Sequence, residues 1–271
     1  MHNTIVLALT LALAASAQNA KVVLEAASKN IGAPRSVQYT GSGAQFTLGQ
    51  NIGPAAPWPR VEVKSFTQTI DYEKTAARTE PVGPQGPAPV QFSSGDRAWG
   101  VAGGNVTPAA PAVARLRQMQ IWATPHGFLR GALAHNATLK RKGRTSLVTF
   151  TAGKSRYVGT LSNDTVESVE SWIDNPVLGD MHVVTRYSDY RDFGGFKFPG
   201  KIVQSGGGFP LLDFTITAAK ADVPVDIPVP AAVMSATPPA IKVAAEKLGE
   251  GAWYLTGGSH HSVAVEFADH L

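Results

Sequence analysis

Hydrophobic and polar residues alternate along three consecutive runs in residues 172–217, and glycine-rich breaks at 194–195 and 206–208 separate the runs. Successive side chains of a strand point to opposite faces, so this period of two predicts an antiparallel sheet with one buried face. Residues 172–217 are therefore expected to form the centre of a sheet.

Similar alternation occurs earlier, in residues 36–48, 60–72 and 92–101, and it returns from residue 139 onwards. Tight turns between neighbouring runs favour pairing in sequence order, as a meander. The triplet Gly41-Ser42-Gly43 lies inside one run, and we interpret it as a β-bulge.

Helices are expected at two places. Residues 20–31 carry a narrow apolar stripe that ends before Gly32. Thr107-Pro108 is a typical helix start, and apolar residues then recur with helical spacing up to Trp122. Pro125 is expected to end that helix and to begin another, which reaches Asn136.

These elements predict an α+β fold, in which a curved antiparallel half-barrel wraps around a helical plug. In this arrangement Trp122 and Phe128 of the helices would be buried against Phe198 and Phe214 of the sheet. Residues 18–228 would form this domain.

The pattern changes after Asp222. Prolines punctuate an Ala/Val-rich segment, and we interpret residues 229–246 as a linker. Residues 247–271 then resemble the first hairpin of a second domain, because two short alternating runs flank a Gly-Gly turn. Two strands alone make a marginal structure, so we expect this second domain to be truncated.

Composition narrows the chemistry. The 271 residues contain no cysteine, which excludes disulfides, thiolate zinc sites and cysteine nucleophiles. The net charge is only +4 and the basic residues are scattered, so no nucleic-acid partner is expected.

The N-terminus has the pattern of an export signal. An apolar run over residues 5–14 precedes Ala15-Ser16-Ala17, a small-x-small cleavage signature. We expect residues 1–17 to be a signal peptide that is cleaved after Ala17, which predicts a periplasmic or secreted protein. No other stretch is long and apolar enough to be a transmembrane segment.

Two segments resemble a known family. Residues 249–267, Gly-Glu-Gly-Ala-Trp-Tyr-Leu through Val-Glu-Phe, resemble the opening strands of a metallo-β-lactamase-fold hydrolase. Residues 172–180, together with 187–195 and Phe198-Pro199, resemble the domain that precedes this fold in exported bacterial members. That domain is similar to the half-barrel of lipoprotein carriers.

The resemblance implies that the chain ends in an incomplete αββα metallo-β-lactamase fold. A missing C-terminal hydrolase domain would be its partner, and the complete protein would use zinc for hydrolysis. The His-x-His-x-Asp-His signature of such enzymes is absent from this sequence. The chain itself is therefore expected to hold no catalytic residue, metal ligand or cofactor, and to be inactive alone.

The histidines support no metal site in this chain. None has ligand spacing to another histidine with a carboxylate nearby; they are His2, His126, His135, His182, His260, His261 and His270. In a strand the adjacent His260 and His261 point to opposite faces and cannot bind one metal. They are either surface residues or, for one ring, part of the substrate side of the complete enzyme.

Aromatic residues leave a second hypothesis open. Trp122, Phe128, Phe198 and Phe214 either pack as an ordinary core or line an apolar cavity. A cavity would make the domain a carrier of lipid or another apolar small molecule. With a filled core, the domain would be an accessory or docking module without catalysis.

Overall fold

The computed structural model describes residues 19–53, 56–175, 179–237, 242–257 and 261–270. The expected signal peptide, residues 1–17, and His260 lie outside these residues. The chain divides into two compact units, Met1–Met234 and Ser235–Leu271. No helix among the described residues is long and apolar enough to cross a membrane.

The first unit contains fourteen strands in one antiparallel sheet. They are β1 Ser36–Phe46, β2 Arg60–Asp71, β3 Ala76–Gly83, β4 Gly86–Pro87, β5 Val90–Ser94, β6 Arg97–Ala102, β7 Asn105–Pro108, β8 Thr138–Lys142, β9 Thr145–Ala152, β10 Ser155–Ser162, β11 Thr165–Asn175, β12 Gly179–Asp192, β13 Lys197–Gly206 and β14 Phe209–Ala221. Four helices accompany them: α1 (residues 19–31), α2 Pro111–Ala123, α3 Pro125–Ala134 and α4 Ala231–Met234.

The strand order is β7-β6-β5-β3-β2-β1-β14-β13-β12-β11-β10-β9-β8, with β4 beside β3. The chain therefore starts near the middle of the sheet and runs outward to one edge. Helices α2 and α3 carry it to the opposite edge, and a second meander returns until β14 pairs with β1. Every connection except this crossover is local, as expected for a meander.

Strand β1 bends the sheet at its middle. Its register shifts between Thr40 and Gly41 against β14, and between Gly41 and Gly43 against β2, which confirms the bulge expected at these glycines. Gly43 has φ +151°, and a Cβ atom there would lie 2.0 Å from the Asp213 carbonyl oxygen. A side chain at Gly43 would therefore push β1 and β14 apart.

The core of the first unit lies between the helices and one face of the sheet. Leu24, Ala27 and Ile31 of α1 are fully buried, and so is Phe128 of α3. Phe128 presses against Gly159 of β10, where an added Cβ atom would lie 2.2 Å from the Phe128 ring. Small residues on the sheet thus make room for the helices.

Helix α2 begins later than its sequence predicts. Thr107 and Pro108 belong to β7, and the helix starts at Pro111 without a side-chain cap. β7 is the outermost strand, so only its inner side pairs with a neighbour, and there Pro108 lies opposite Trp99. Proline has no backbone N–H group, and the outer side of an edge strand requires none. The edge of the sheet, rather than the local Thr-Pro signal, determines this boundary.

The second unit is a three-stranded antiparallel sheet of β15 Ala244–Gly249, β16 Ala252–Thr256 and β17 Ser262–Val265. Strand β15 starts inside the segment expected to be a linker, and its Ala-Ala-Glu sequence carries no alternation that would reveal it. The described residues of this unit contain no helix.

The fold class expected from the sequence is therefore wrong. The structure consists mostly of one large antiparallel sheet with few helices, and nothing in the described residues corresponds to the start of an αββα metallo-β-lactamase fold. Alternating runs reveal strands, but they do not distinguish a small meander from the first strands of a layered domain.

Candidate functional site

A cavity of about 200 Å³ lies between helix α2 and the inner face of the large sheet. Its lining comes from seven neighbouring strands, β5-β3-β2-β1-β14-β13-β12, and from the α2–α3 junction. In a flat sheet the outer two of these strands would be about 29 Å apart, at about 4.8 Å per strand. A sphere of this volume is only about 7 Å wide, so the sheet must curve strongly around the cavity.

The α2–α3 junction is fixed to the sheet by hydroxyl groups. The Thr124 hydroxyl caps α3 by accepting from the Gly127 N–H at 3.2 Å, and it donates to the Ile121 carbonyl at 2.7 Å. Tyr72 contacts the same hydroxyl at 3.0 Å, and Tyr187 donates to the Ala123 carbonyl at 2.5 Å. These bonds hold the helical side of the cavity in place.

The inner end of the cavity is aromatic. The rings of Phe66 and Phe214 are 4.5 Å apart, and Tyr39 lies 5.9 Å from Phe66 and 4.7 Å from Phe198. Phe66, Phe198 and Phe214 are buried, and Ile70 extends this apolar surface. Burial raises the pKa of Tyr39 and of Tyr187 above the ordinary value, so these phenols stay neutral at physiological pH.

The outer part of the cavity is polar and uncharged except at one residue. Gln45, Gln91 and Gln120 line it and are exposed, so they mark its opening. Deeper in, two pairs of side chains bond to each other: Thr79 donates to Gln68 at 2.6 Å, and Gln204 donates to Thr185 at 2.8 Å. No Asp or Glu is among the described residues that line the cavity.

Arg117 is the charged residue of the lining. Its Nη1 donates to the carbonyl oxygens of Phe92 and Trp99 at 2.7 and 3.0 Å, and its Nη2 donates to the Gln91 side chain at 3.2 Å. Partial burial lowers the pKa of Arg117, but an arginine remains protonated at neutral pH. The guanidinium thus joins α2 to β5 and β6 through neutral acceptors.

The structure separates the four aromatic residues that the sequence singled out. Phe198 and Phe214 line the cavity, whereas Trp122 and Phe128 do not. Phe128 packs on Phe150 at 5.3 Å, and Trp122 is half-buried beside the His135 ring. Phe128 is buried in the same apolar core as Phe198 and Phe214, but the α3 ring that stacks on Phe198 is that of His126. Direct burial of Trp122 and Phe128 against Phe198 and Phe214 stays a prediction.

The polar residues of the cavity lining were not predicted from the sequence, although their positions on the strands could have indicated them. Gln68 lies between Phe66 and Ile70 at the inward positions of β2, and Thr185 lies between Val183 and Tyr187 on β12. A polar residue at an inward position is out of place in a packed core. Such residues, repeated on several strands, indicate an internal polar surface.

The described residues bring together no group of three or more His, Asp or Glu side chains that would hold a metal ion. His261 contacts the Tyr254 hydroxyl, and His182 pairs with Glu170 at 2.8 Å on the exposed side of the sheet. His126 is buried in α3, where its Nε2–H donates to the Ile31 carbonyl at 3.2 Å. No residue of the structure supports zinc in a larger form of the protein.

No protein-family model matches this sequence, and no curated protein matches it. The solved structures that are similar to it include the following three. A LolA-superfamily protein from Nitrosomonas europaea has 12% identity and a TM-score of 0.48, covering 77% of this chain and 94% of its own. A DUF1329-family protein from Desulfovibrio piger has 9% identity and a TM-score of 0.49, and the alignment covers 78% of this chain and 95% of that protein. The lipoprotein LppX of Mycobacterium tuberculosis has 11% identity and a TM-score of 0.34, and the alignment covers 78% of this chain and 99% of that protein.

The resemblance to a metallo-β-lactamase-fold hydrolase is wrong. No family model of such a hydrolase matches the sequence. The segment 249–267, on which the resemblance depends, lies in a three-stranded meander. A zinc-dependent hydrolase activity, a missing hydrolase domain and an αββα fold have no support.

Proposed function

We propose that the first unit is a binding protein for a small molecule with an apolar part. The observation that carries this proposal is the cavity, whose inner end is aromatic and whose opening is polar. Binding sites for small molecules are mostly apolar and contain a few polar groups that orient the ligand. This cavity likewise combines an apolar, aromatic part with a few polar groups.

The size of the cavity limits the ligand. An engineered cavity of about 150 Å³ holds benzene, which corresponds to about 25 Å³ per carbon atom. At about 200 Å³, this cavity would hold roughly eight carbon atoms. That is enough for a short alkyl chain or for the end of a longer one, which would then leave through the glutamine-lined opening.

A short alcohol provides a test. Octan-1-ol has about the right volume, and its binding to the full chain is measured by isothermal titration calorimetry at several temperatures. Burial of the alkyl chain predicts a negative heat-capacity change.

A variant that fills the cavity makes the test specific. Ala77 is buried on β3 and lines the cavity. In Ala77→Leu the added isopropyl group would displace about three methylenes of the ligand, at about 0.8 kcal/mol each, so affinity should fall by about 2 kcal/mol, or roughly 30-fold. Ala112→Leu adds the same atoms at an exposed position of α2 and should bind octan-1-ol as the wild type does. Absence of binding, or equal binding by Ala77→Leu, would refute the proposal.

We also propose that the protein acts outside the cytoplasm. The support is the apolar run over residues 5–14 and the cleavage signature that ends at Ala17. Expression in a Gram-negative host with fractionation should give a periplasmic product whose intact mass corresponds to a chain that starts at Gln18. A cytoplasmic product with the full N-terminus would contradict it.

A further inference from the structure

The cavity wall carries one positive charge without a carboxylate partner. Arg117 forms no ion pair with any described residue, and its hydrogen-bond partners are two carbonyl oxygens and one amide oxygen. A guanidinium has five N–H donors, and these contacts use three of them. Two donors and the positive charge therefore have no partner among the described residues.

A second polar group without a partner lies on β5, directly after Phe92, whose carbonyl accepts from Arg117. Ser93 is one of the lining residues, and its hydroxyl is buried without a hydrogen-bond partner among the described residues. Ser93 and Gln91 are two positions apart on β5, so their side chains share the face that lines the cavity, and Gln91 contacts Arg117. A buried hydroxyl without a partner costs free energy unless a ligand or water completes it.

From these two observations we propose that the ligand is a carboxylate, with its head group bound by Arg117 and Ser93 and its alkyl chain directed to Phe66 and Phe214. This inference rests on the proposed function, since it assigns the ligand class of the same cavity. A monoanion neutralises the single charge of Arg117. Its planar oxygens match two N–H donors of a guanidinium, and the Ser93 hydroxyl donates a further hydrogen bond.

The surroundings favour an anion over a cation or a neutral molecule. The described lining contains no acidic side chain, and its tyrosines are neutral. Partial burial of Arg117 strengthens its attraction to an opposite charge, because the medium screens the charge less than water does. The same carboxylate would gain nothing from the aromatic end, so the two ends of the cavity orient the ligand.

The test compares octanoate with octan-1-ol and octyl phosphate, each of which has eight carbon atoms, by calorimetry on the full chain at pH 7.5. We expect octanoate to bind at least about tenfold tighter than octan-1-ol, as charge-assisted hydrogen bonds predict. In Arg117→Gln the ratio of the two affinities should fall to about one. Arg115→Gln removes the same charge two residues away on the exposed side of α2 and should keep the wild-type ratio.

Two further variants keep the test decisive. Arg117 also joins α2 to β5 and β6, so Arg117→Gln could fail to fold. In that case Arg117→Lys is used, which keeps the charge but loses the two parallel N–H donors of the guanidinium. Its ratio of octanoate affinity to octan-1-ol affinity should lie between that of the wild type and one. Ser93→Ala should weaken octanoate binding a few-fold and leave octan-1-ol binding less affected, because the serine is assigned to the head group.

The possible failures are distinguishable. If octan-1-ol binds and octanoate binds no tighter, the carboxylate inference is overturned while the proposed function stands. An unchanged ratio in Arg117→Gln overturns the role of Arg117, and tighter binding of octyl phosphate overturns the choice of carboxylate. If none of the three compounds binds, both proposals are overturned.

Discussion

Buried His126 should make the protein lose stability as the pH falls from about 6.5 to 4. The ring is 1% exposed and stacks on Phe198 at 5.8 Å. Burial lowers the pKa of His126 from 6.5 to about 4; the charge of Arg130 adds to this, and the hydrogen bond to Ile31 opposes it. The folded protein therefore holds a neutral ring, whose Nδ1 has no partner among the described residues.

The sign of the effect follows from proton binding. In the unfolded chain the histidine titrates near 6.5, so below that pH the unfolded state binds a proton that the folded state excludes until about pH 4. This contribution to stability is complete above pH 6.5, decreases as the pH falls towards 4 and is constant below that. A difference of about 2.5 pH units at about 1.4 kcal/mol each gives about 3.5 kcal/mol. About 3 kcal/mol of this is lost by pH 4, where the folded state is itself half protonated, and that is a large part of the 5–15 kcal/mol typical of a domain.

Urea unfolding at pH 7.5, 6, 5 and 4 measures this contribution when the wild type is compared with His126→Gln. The glutamine amide can donate to the Ile31 carbonyl as the imidazole does, and it does not titrate. The free energy of unfolding of the wild type minus that of the variant should fall by about 3 kcal/mol between pH 7.5 and pH 4. Carboxylates that titrate in both proteins cancel in this difference.

His182→Gln serves as the control, because it removes an exposed imidazole and keeps the buried one. This variant should retain the loss of stability that His126 causes. NMR of ¹³C-labelled histidine rings follows His126 directly and should show it neutral at pH 5. A wild-type-minus-variant difference that changes by less than about 1 kcal/mol over this pH range would refute the reasoning.

Two further substitutions test the packing and the support of the site by urea unfolding. Gly159→Ala places a methyl group against the Phe128 ring and should destabilise the protein by about 1–3 kcal/mol, whereas Gly83→Ala meets no atom within 4 Å and should be nearly neutral; equal effects would contradict the close contact. Tyr187→Phe removes a hydrogen bond and leaves the Ala123 carbonyl without that donor, so it should cost about 1–2 kcal/mol. A neutral Tyr187→Phe would show that the phenol does not anchor the junction of the two helices.

Local patterns predicted a good part of the elements. Alternation identified the strands of residues 172–217, the glycine pair in β1 marked a bulge, and Pro125 marked the start of α3. These features depend on neighbouring residues alone, since strand periodicity, glycine and proline act on the local backbone. The start of α2 was wrong because the sheet pairing of β7 overrides the Thr-Pro signal.

The candidate site depends on contacts between distant residues. Strands β6 and β7 separate Ser93 from Arg117 along the chain, and Phe214 reaches the same cavity from the other meander. Nothing in the sequence places β14 beside β1, since this pairing closes a loop of well over a hundred residues. Periodicity along the sequence therefore could not predict that seven strands surround one cavity.

The sequence by itself determined that this chain forms antiparallel strands with a helical insert, that it has no cysteine chemistry and that its histidines lack ligand spacing. Each of these follows from residue type and short-range geometry. Only the tertiary structure decided that the last strands form a three-stranded meander and that a cavity remains between α2 and the large sheet. A cavity is the space left after distant elements pack, so its volume, its polar opening and its single charge appear only when the whole sheet is assembled.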